Sequence, residues 1–184
     1  MDPALLLILV GPLAFVVAIA WIVRTNSLKL VQPGQVLIVN TLGSDQPEVA
    51  FTSARIIPFR QDYHYMDVRP KPVECKLEGL ECSDGKRIDL ATTFVVRVGA
   101  SKSDILKVAM AIGYDRASDP VVLVQLFNAR FSEALSSAAS EMELAAIQAD
   151  HQAYRDLVIK RMKPDLYGYQ LEDLKIDSVQ PQGA

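Results

Sequence analysis

Residues 4–23 form an uninterrupted run of 20 residues without a charge, ALLLILVGPLAFVVAIAWIV. A run of that length and character is a membrane-span candidate, because a helix rising about 1.5 Å per residue makes it about 30 Å long, the thickness of a hydrocarbon core. Its thirteen Leu, Ile, Val and Phe residues together favour insertion by roughly 4–8 kcal/mol. Gly11 and Pro12 reduce that figure, but membrane helices tolerate both. Trp21 near one end suits the interfacial aromatic belt. Leu5, Leu9, Phe15, Val17, Trp21 and the flanking Arg24 are therefore the residues expected to anchor the chain.

A secretory signal peptide is the competing reading, since Ala18-Ile19-Ala20 has the small-x-small form of a cleavage site. Such a peptide opens on a basic region, whereas this chain opens on Asp2, and the apolar run exceeds the usual length. A membrane hairpin bent at Gly11-Pro12 is a further variant, although each half would be short. Arg24 and Lys29 follow the run, and no acidic residue follows it until Asp45. The positive-inside rule then puts the remainder in the cytoplasm, with a plasma or inner membrane as the site of the single pass.

The chain of 184 residues has room for the anchor and one ordinary domain. A net charge of -3 gives no basic footprint, so a nucleic-acid partner is not expected. The nearest cationic cluster, Lys160, Arg161 and Lys163, reads as a solvated helix end, with phosphate or lipid contact as the alternative. Only Cys75 and Cys82 are present. On one strand they would lie about 23 Å apart, too far for a disulfide. With His64 and His151 distant in sequence, no metal site is expected.

Residues 30–100 read as strands. Gln35 to Leu42 is apolar and β-branched, opened by Pro33-Gly34 and closed by Gly43. Arg55 to Phe59 is a second extended stretch, kept off a central position by Pro58. His64, between Tyr63 and Tyr65, reads as a surface-facing strand residue. The clearest local signal is a hairpin, VECKLEGLEC against KRIDLATTFVVRV, joined by Asp84-Gly85 as a two-residue type I′ turn. That register opposes Leu77 to Thr92, Cys75 to Phe94 and Val73 to Val96, with a bulge at Gly79.

After Gly99 the apolar period becomes helical. Ser101 or Ser103 can cap a short helix that stops before Gly113. Asp119 then caps a longer helix with Pro120 at its first position. Its expected stripe is Val121, Val124, Phe127 or Asn128, Phe131 and Leu135. A third helix is expected from Glu141 or Glu143 to near Pro164, with Leu144, Ile147, His151, Tyr154 and Val158 on one face. QLEDLKIDSV reads as a last strand returning to the sheet. Strands first and helices after give an α+β fold.

This order of parts resembles the SPFH family, also called band 7, which includes stomatins, prohibitins, flotillins and bacterial relatives. The resemblance rests on the N-terminal anchor, QPGQVLIVNTLG, the IIPF proline, LECSDGKRIDLATTFVVRV and the NARF segment with Arg130. It extends through MELAAIQADHQAYRDLVIKRMKPDLYGYQLEDLKIDSV, where a Tyr-Gly step leads into the final strand. It spans roughly residues 30–180, with a flotillin-like or stomatin-like branch nearest. The resemblance implies an SPFH-type domain with an antiparallel-rich sheet packed by helices. The organisation expected is anchor 1–24, juxtamembrane linker 25–34, domain 35–180 and tail 181–184. Family members typically continue into a long coiled coil, whereas this sequence stops at Gln180-Pro181-Gln182-Gly183-Ala184; a natural short form and a chain cut at the domain boundary both fit.

No G-x-G-x-x-G, P-loop or G-x-S-x-G elbow occurs. No catalytic residue, cofactor or metal is therefore expected, and the family resemblance implies a non-enzymatic scaffold that oligomerises at membranes. Membrane lipids and further copies of the chain are the expected partners. The alternative is an accessory factor of prohibitin type, surrounding a membrane protease or another integral membrane complex. The charged face of the third helix, Arg155, Asp156 and Lys160, is the candidate subunit contact.

Overall fold

The computed structural model describes residues 17, 21, 27–44, 46–162 and 166–182. The anchor residues Leu5, Leu9, Phe15 and Arg24 lie outside them, while Val17 and Trp21 are helical and exposed. Among the described residues no helix is long and apolar enough to cross a membrane. The fold is α+β with antiparallel pairing and two compact units, Met1–Met66 and Asp67–Ala184.

The first unit holds strands β1 (Leu28–Leu30), β2 (Gln35–Thr41), β3 (Glu48–Ala50), β4 (Ser53–Arg55) and β5 (Gln61–Asp67), the last ending at the boundary. β2 lies between β3 and β5, and β1 pairs with β4. Val36, Leu37, Ile38 and Val39 are all buried, which explains why β2 reads as a continuous apolar run instead of an alternating one. Leu37, Val39 and Ile56 form a core cluster with Val31, Ala54 and Tyr63 against it. β1 falls inside the segment expected as linker, where Leu28 opposes Arg55 and Leu30 opposes Ser53. The stretch expected to be extended from Arg55 to Phe59 turns instead after Ile56. Arg60 N–H donates to the Ile57 carbonyl at 3.3 Å, and Pro58, with its fixed φ, suits the position after Ile57.

The second unit is a three-stranded sheet, β6 (Lys71–Glu81), β7 (Arg87–Val98) and β8 (Tyr169–Pro181), with β7 central. The expected bulge is present: Leu77 opposes Leu90, Leu80 opposes Ile88, and the Gly79 N–H between them donates to Asp89 Oδ1 at 2.8 Å. The turn differs from expectation. Cys82 N–H donates to the Lys86 carbonyl at 2.8 Å and Gly85 N–H to the Cys82 carbonyl at 3.0 Å, enclosing Ser83, Asp84 and Gly85. Only Gly85 of these has positive φ, at 75°. A type I turn followed by a left-handed glycine satisfies that pattern, whereas type I′ needs positive φ at both central residues. The register is therefore Cys75 against Thr92 and Val73 against Phe94.

Among its described residues this unit also holds four helices: α1 (Lys102–Ala111), α2 (Pro120–Ala139), α3 (Leu144–Ala149) and α4 (His151–Arg161). Ser101 caps α1 by accepting from Asp104 N–H at 3.1 Å. Asp119 caps α2, with Pro120 opening it as expected, by accepting from Val121 N–H at 2.9 Å. The buried stripe of α2 is Leu123, Phe127, Phe131, Ala134, Leu135, Ala138 and Ala139, while Val121 is exposed. Phe131 stacks on Phe94 of β7 with ring centroids 3.8 Å apart, the centre of the helix–sheet contact.

The expected third helix is broken. At Asp150 (φ -137°, ψ 84°) the side chain accepts from Gln152 and Ala153 N–H, both at 3.0 Å, so Asp150 starts a new helix instead of continuing the old one. The apolar stripe does not carry across the break. Tyr154 and Val158 are buried, but His151 is exposed rather than packed.

Candidate functional site

Large apolar side chains clustered on the surface mark where a protein meets something else, whereas single ones are ordinary. Among the described residues thirteen are exposed, and nine of them belong to the first unit. The two most exposed, Phe59 and Leu42, lie in adjoining turns, one before β5 and one after β2, with Ile57 near Phe59. Leu42 is 79% exposed, Phe59 99% and Ile57 52%. Leu42 N–H donates to the Arg60 carbonyl at 2.8 Å, and the Gln61 amide reaches both turns, donating to Thr41 Oγ1 at 3.0 Å and accepting from Ile57 N–H at 2.7 Å. Between the turns lies an open depression of about 480 Å³.

Phe59 adopts φ 67°, a left-handed conformation costly for a bulky residue. Among the described residues none offsets that cost by burying the ring. The turn is also tied to the start of the unit, because Ile56 N–H donates to the Ser27 carbonyl at 2.7 Å. The apolar tip and Ser27, the residue before β1, therefore share one end of the first unit. Sequence reading missed this tip, although a signal existed: Leu42 beside Gly43, and Ile57 and Phe59 around Pro58, put large apolar residues at turn positions where polar ones are the rule.

The structure does not gather the expected polar contact residues into one free face. Arg155 is half-buried and its Nη2 donates to Asp173 Oδ1 of β8 at 2.6 Å. Asp156 is exposed and accepts from Gln152 at 3.4 Å, and Lys160 is exposed at the end of α4. His64 Nε2 lies 3.2 Å from Asp62 Oδ2 on β5. Cys75 and Cys82 are free and buried; desolvation pushes both thiols up from their ordinary value, which suppresses thiolate chemistry. Asp67 is the most perturbed carboxylate. The Arg69 hydrogen bond, against opposing desolvation, holds it well below the usual range, with Lys71 adding a contact at 3.0 Å. That cluster fastens the start of the second unit, where Ser118 Oγ also donates to the Asp67 carbonyl at 2.7 Å. Among the described residues no group of three His, Cys, Asp or Glu is placed to hold a metal.

A model of the SPFH domain / Band 7 family matches residues 29–184. The chain belongs to that family. No curated protein matches it. SPFH domain / Band 7 proteins are generally membrane-associated, non-enzymatic scaffolds. The match begins at Lys29 inside β1, so it takes in part of the segment expected as linker, and it covers residues 29–66 of the first unit and all of the second.

Proposed function

We propose that this SPFH protein is a membrane-anchored, non-enzymatic scaffold that self-assembles into a ring or cage and organises a patch of membrane or the proteins within it. The N-terminal run spans a plasma or inner membrane once, and the domain lies on the cytoplasmic side. The observation that carries this reading is the apolar tip. Leu42, Ile57 and Phe59 project from the same end of the first unit as Ser27, the residue that follows the apolar run closely. A side chain such as Phe59, held in a costly conformation with its ring in water, gains from a second apolar phase next to it. The anchor tethers the tip within reach of lipid, so the binding cost of finding the surface is already met.

The test uses the full chain with Phe59→Cys carrying a polarity-sensitive fluorophore; selective labelling relies on the two native thiols being buried. In vesicles of phosphatidylcholine and phosphatidylglycerol the emission is expected to shift to the blue and to be quenched by lipid-borne nitroxides. Emission that stays water-like and unquenched would overturn the membrane role of the tip.

A further inference from the structure

The second unit carries four exposed large apolar side chains among the described residues: Met110, Val121, Ile159 and Tyr167. Tyr167 is covered on one face by the Arg130 guanidinium, 4.2 Å from the ring centroid. An open groove of about 320 Å³ lies between the end of α1 and the first turns of α2, and Met110 (75% exposed) and Val121 (63%) each precede one of its lining residues, Ala111 and Val122. Ile112, Val122 and Leu126 supply the apolar part of its lining, and Arg116 and Gln125 the polar part. Ile159, 40% exposed, stands on α4 between Asp156 and Lys160.

We propose that the groove between α1 and α2 receives the Ile159 face of α4 from a second copy of this chain. The inference rests on the scaffold reading and names the surfaces that would join its subunits. Charge supports the occupant. The groove carries Arg116 with Asp115 beside it, and neither side chain has a partner among the described residues. The α4 face offers the opposite pair, Asp156 and Lys160, at i,i+4 spacing beside Ile159, and the Lys160 side chain has no partner among the described residues. Seating Ile159 in the groove brings Asp156 to Arg116 and Lys160 to Asp115, and covers Met110 and Val121 in the same contact. The two patches are different surfaces of one unit, so the contact is heterologous. It leaves a free groove at one end and a free α4 at the other, and repeats until a ring closes.

Charge exchange tests the contact. In detergent extracts of the full chain, Arg116→Asp and Asp156→Arg are each expected to reduce the particle mass to one or two copies, and the double variant to restore the large particle. Independently, Met110→Cys with Ile159→Cys, treated in membranes with a short bis-maleimide, is expected to give a ladder of several copies, whereas each single variant gives none beyond a dimer. A large particle unmoved by either charge reversal, with no ladder from the cysteine pair, overturns this contact and leaves the scaffold reading standing. A wild-type chain that is monomeric in the same extract overturns both.

Discussion

Gly168 is a position where an added methyl group meets a backbone cost and a packing cost together. It has φ 91°, and a Cβ placed on it would lie 2.6 Å from the Asp104 carbonyl oxygen and 3.1 Å from Val108 Cγ2, both on α1. The Gly168 carbonyl also accepts from Gly99 N–H at 2.8 Å, so the backbone there is held from two sides. Gly168→Ala therefore combines two costs. The left-handed conformation costs about 1–2 kcal/mol for any residue with a Cβ. Overpacking against a helix backbone, which cannot swing aside as a side chain can, adds about 1–3 kcal/mol. Gly113→Ala in the same unit isolates the first cost, because Gly113 has φ 97° but no atom within 4 Å of an added Cβ. Urea unfolding of the detergent-extracted full chain, followed by far-UV circular dichroism, should show Gly168→Ala losing about 3–4 kcal/mol and Gly113→Ala about 1–2 kcal/mol, at unchanged m. Equal losses in the two variants would refute the close approach of α1 to Gly168.

Phe131, fully buried between Phe94 and Phe127, should cost about 3–5 kcal/mol on conversion to Ala in the same unfolding assay, and a loss under about 1 kcal/mol would argue against this packing. Tyr154 donates to the Leu135 carbonyl at 2.9 Å and Tyr169 to the Ala117 carbonyl at 2.7 Å, and burial raises both phenols far above their ordinary value. The fold holds both protonated, so their stabilising effect is complete below about pH 10 and declines as pH rises beyond it. In an ultraviolet titration these two of the six tyrosines should ionise only as circular dichroism is lost; six phenols titrating near pH 10 in an intact fold would contradict this. Asp67 has the opposite sign: its depressed folded pKa stabilises the fold above about pH 4, and the contribution fades as pH falls further. Asp67→Asn should therefore be destabilising near neutral pH and converge on the wild type in acid, and a constant difference across that range would argue against the Arg69 pairing.

What sequence revealed were the features decided within a few residues. Ser101 and Asp119-Pro120 could be read as caps because a cap bonds to N–H groups two or three positions on. The Gly79 bulge was legible as a change in apolar parity within one strand. The turn at Gly85 was located but mistyped, since Asp-Gly serves two turn geometries and the flanking hydrogen bonds choose between them. The break at Asp150 was hidden because Leu144, Ile147, Tyr154 and Val158 keep helical spacing on either side of it, and only the geometry of the cap shows the interruption. The division after Met66 left no mark in composition, because β5 runs up to it and β6 follows four residues later. Of the candidate sites, Arg155 looked free in sequence and is engaged because α4 lies beside β8, a relation no local pattern records. The apolar tip needed the opposite step, a judgement that turn residues were too hydrophobic for turns.

The pairing of β7 with β8 sets the order of events while the chain is being made. Val98 meets Tyr169 and Ile88 meets Pro181, so β7 acquires its second neighbour only after roughly seventy further residues have been synthesised. At about 5–20 residues per second that takes roughly 4–14 s. Throughout that interval one edge of β7 is open, with Ile88, Leu90, Phe94, Val96 and Val98 on a strand that already has β6 on its other side. Such an edge is a template for the same edge of a neighbouring nascent chain. Crowding on a polysome thus competes with the chain's own last strand, and slower elongation between residues 98 and 169 should lower the yield of folded protein without altering its final stability.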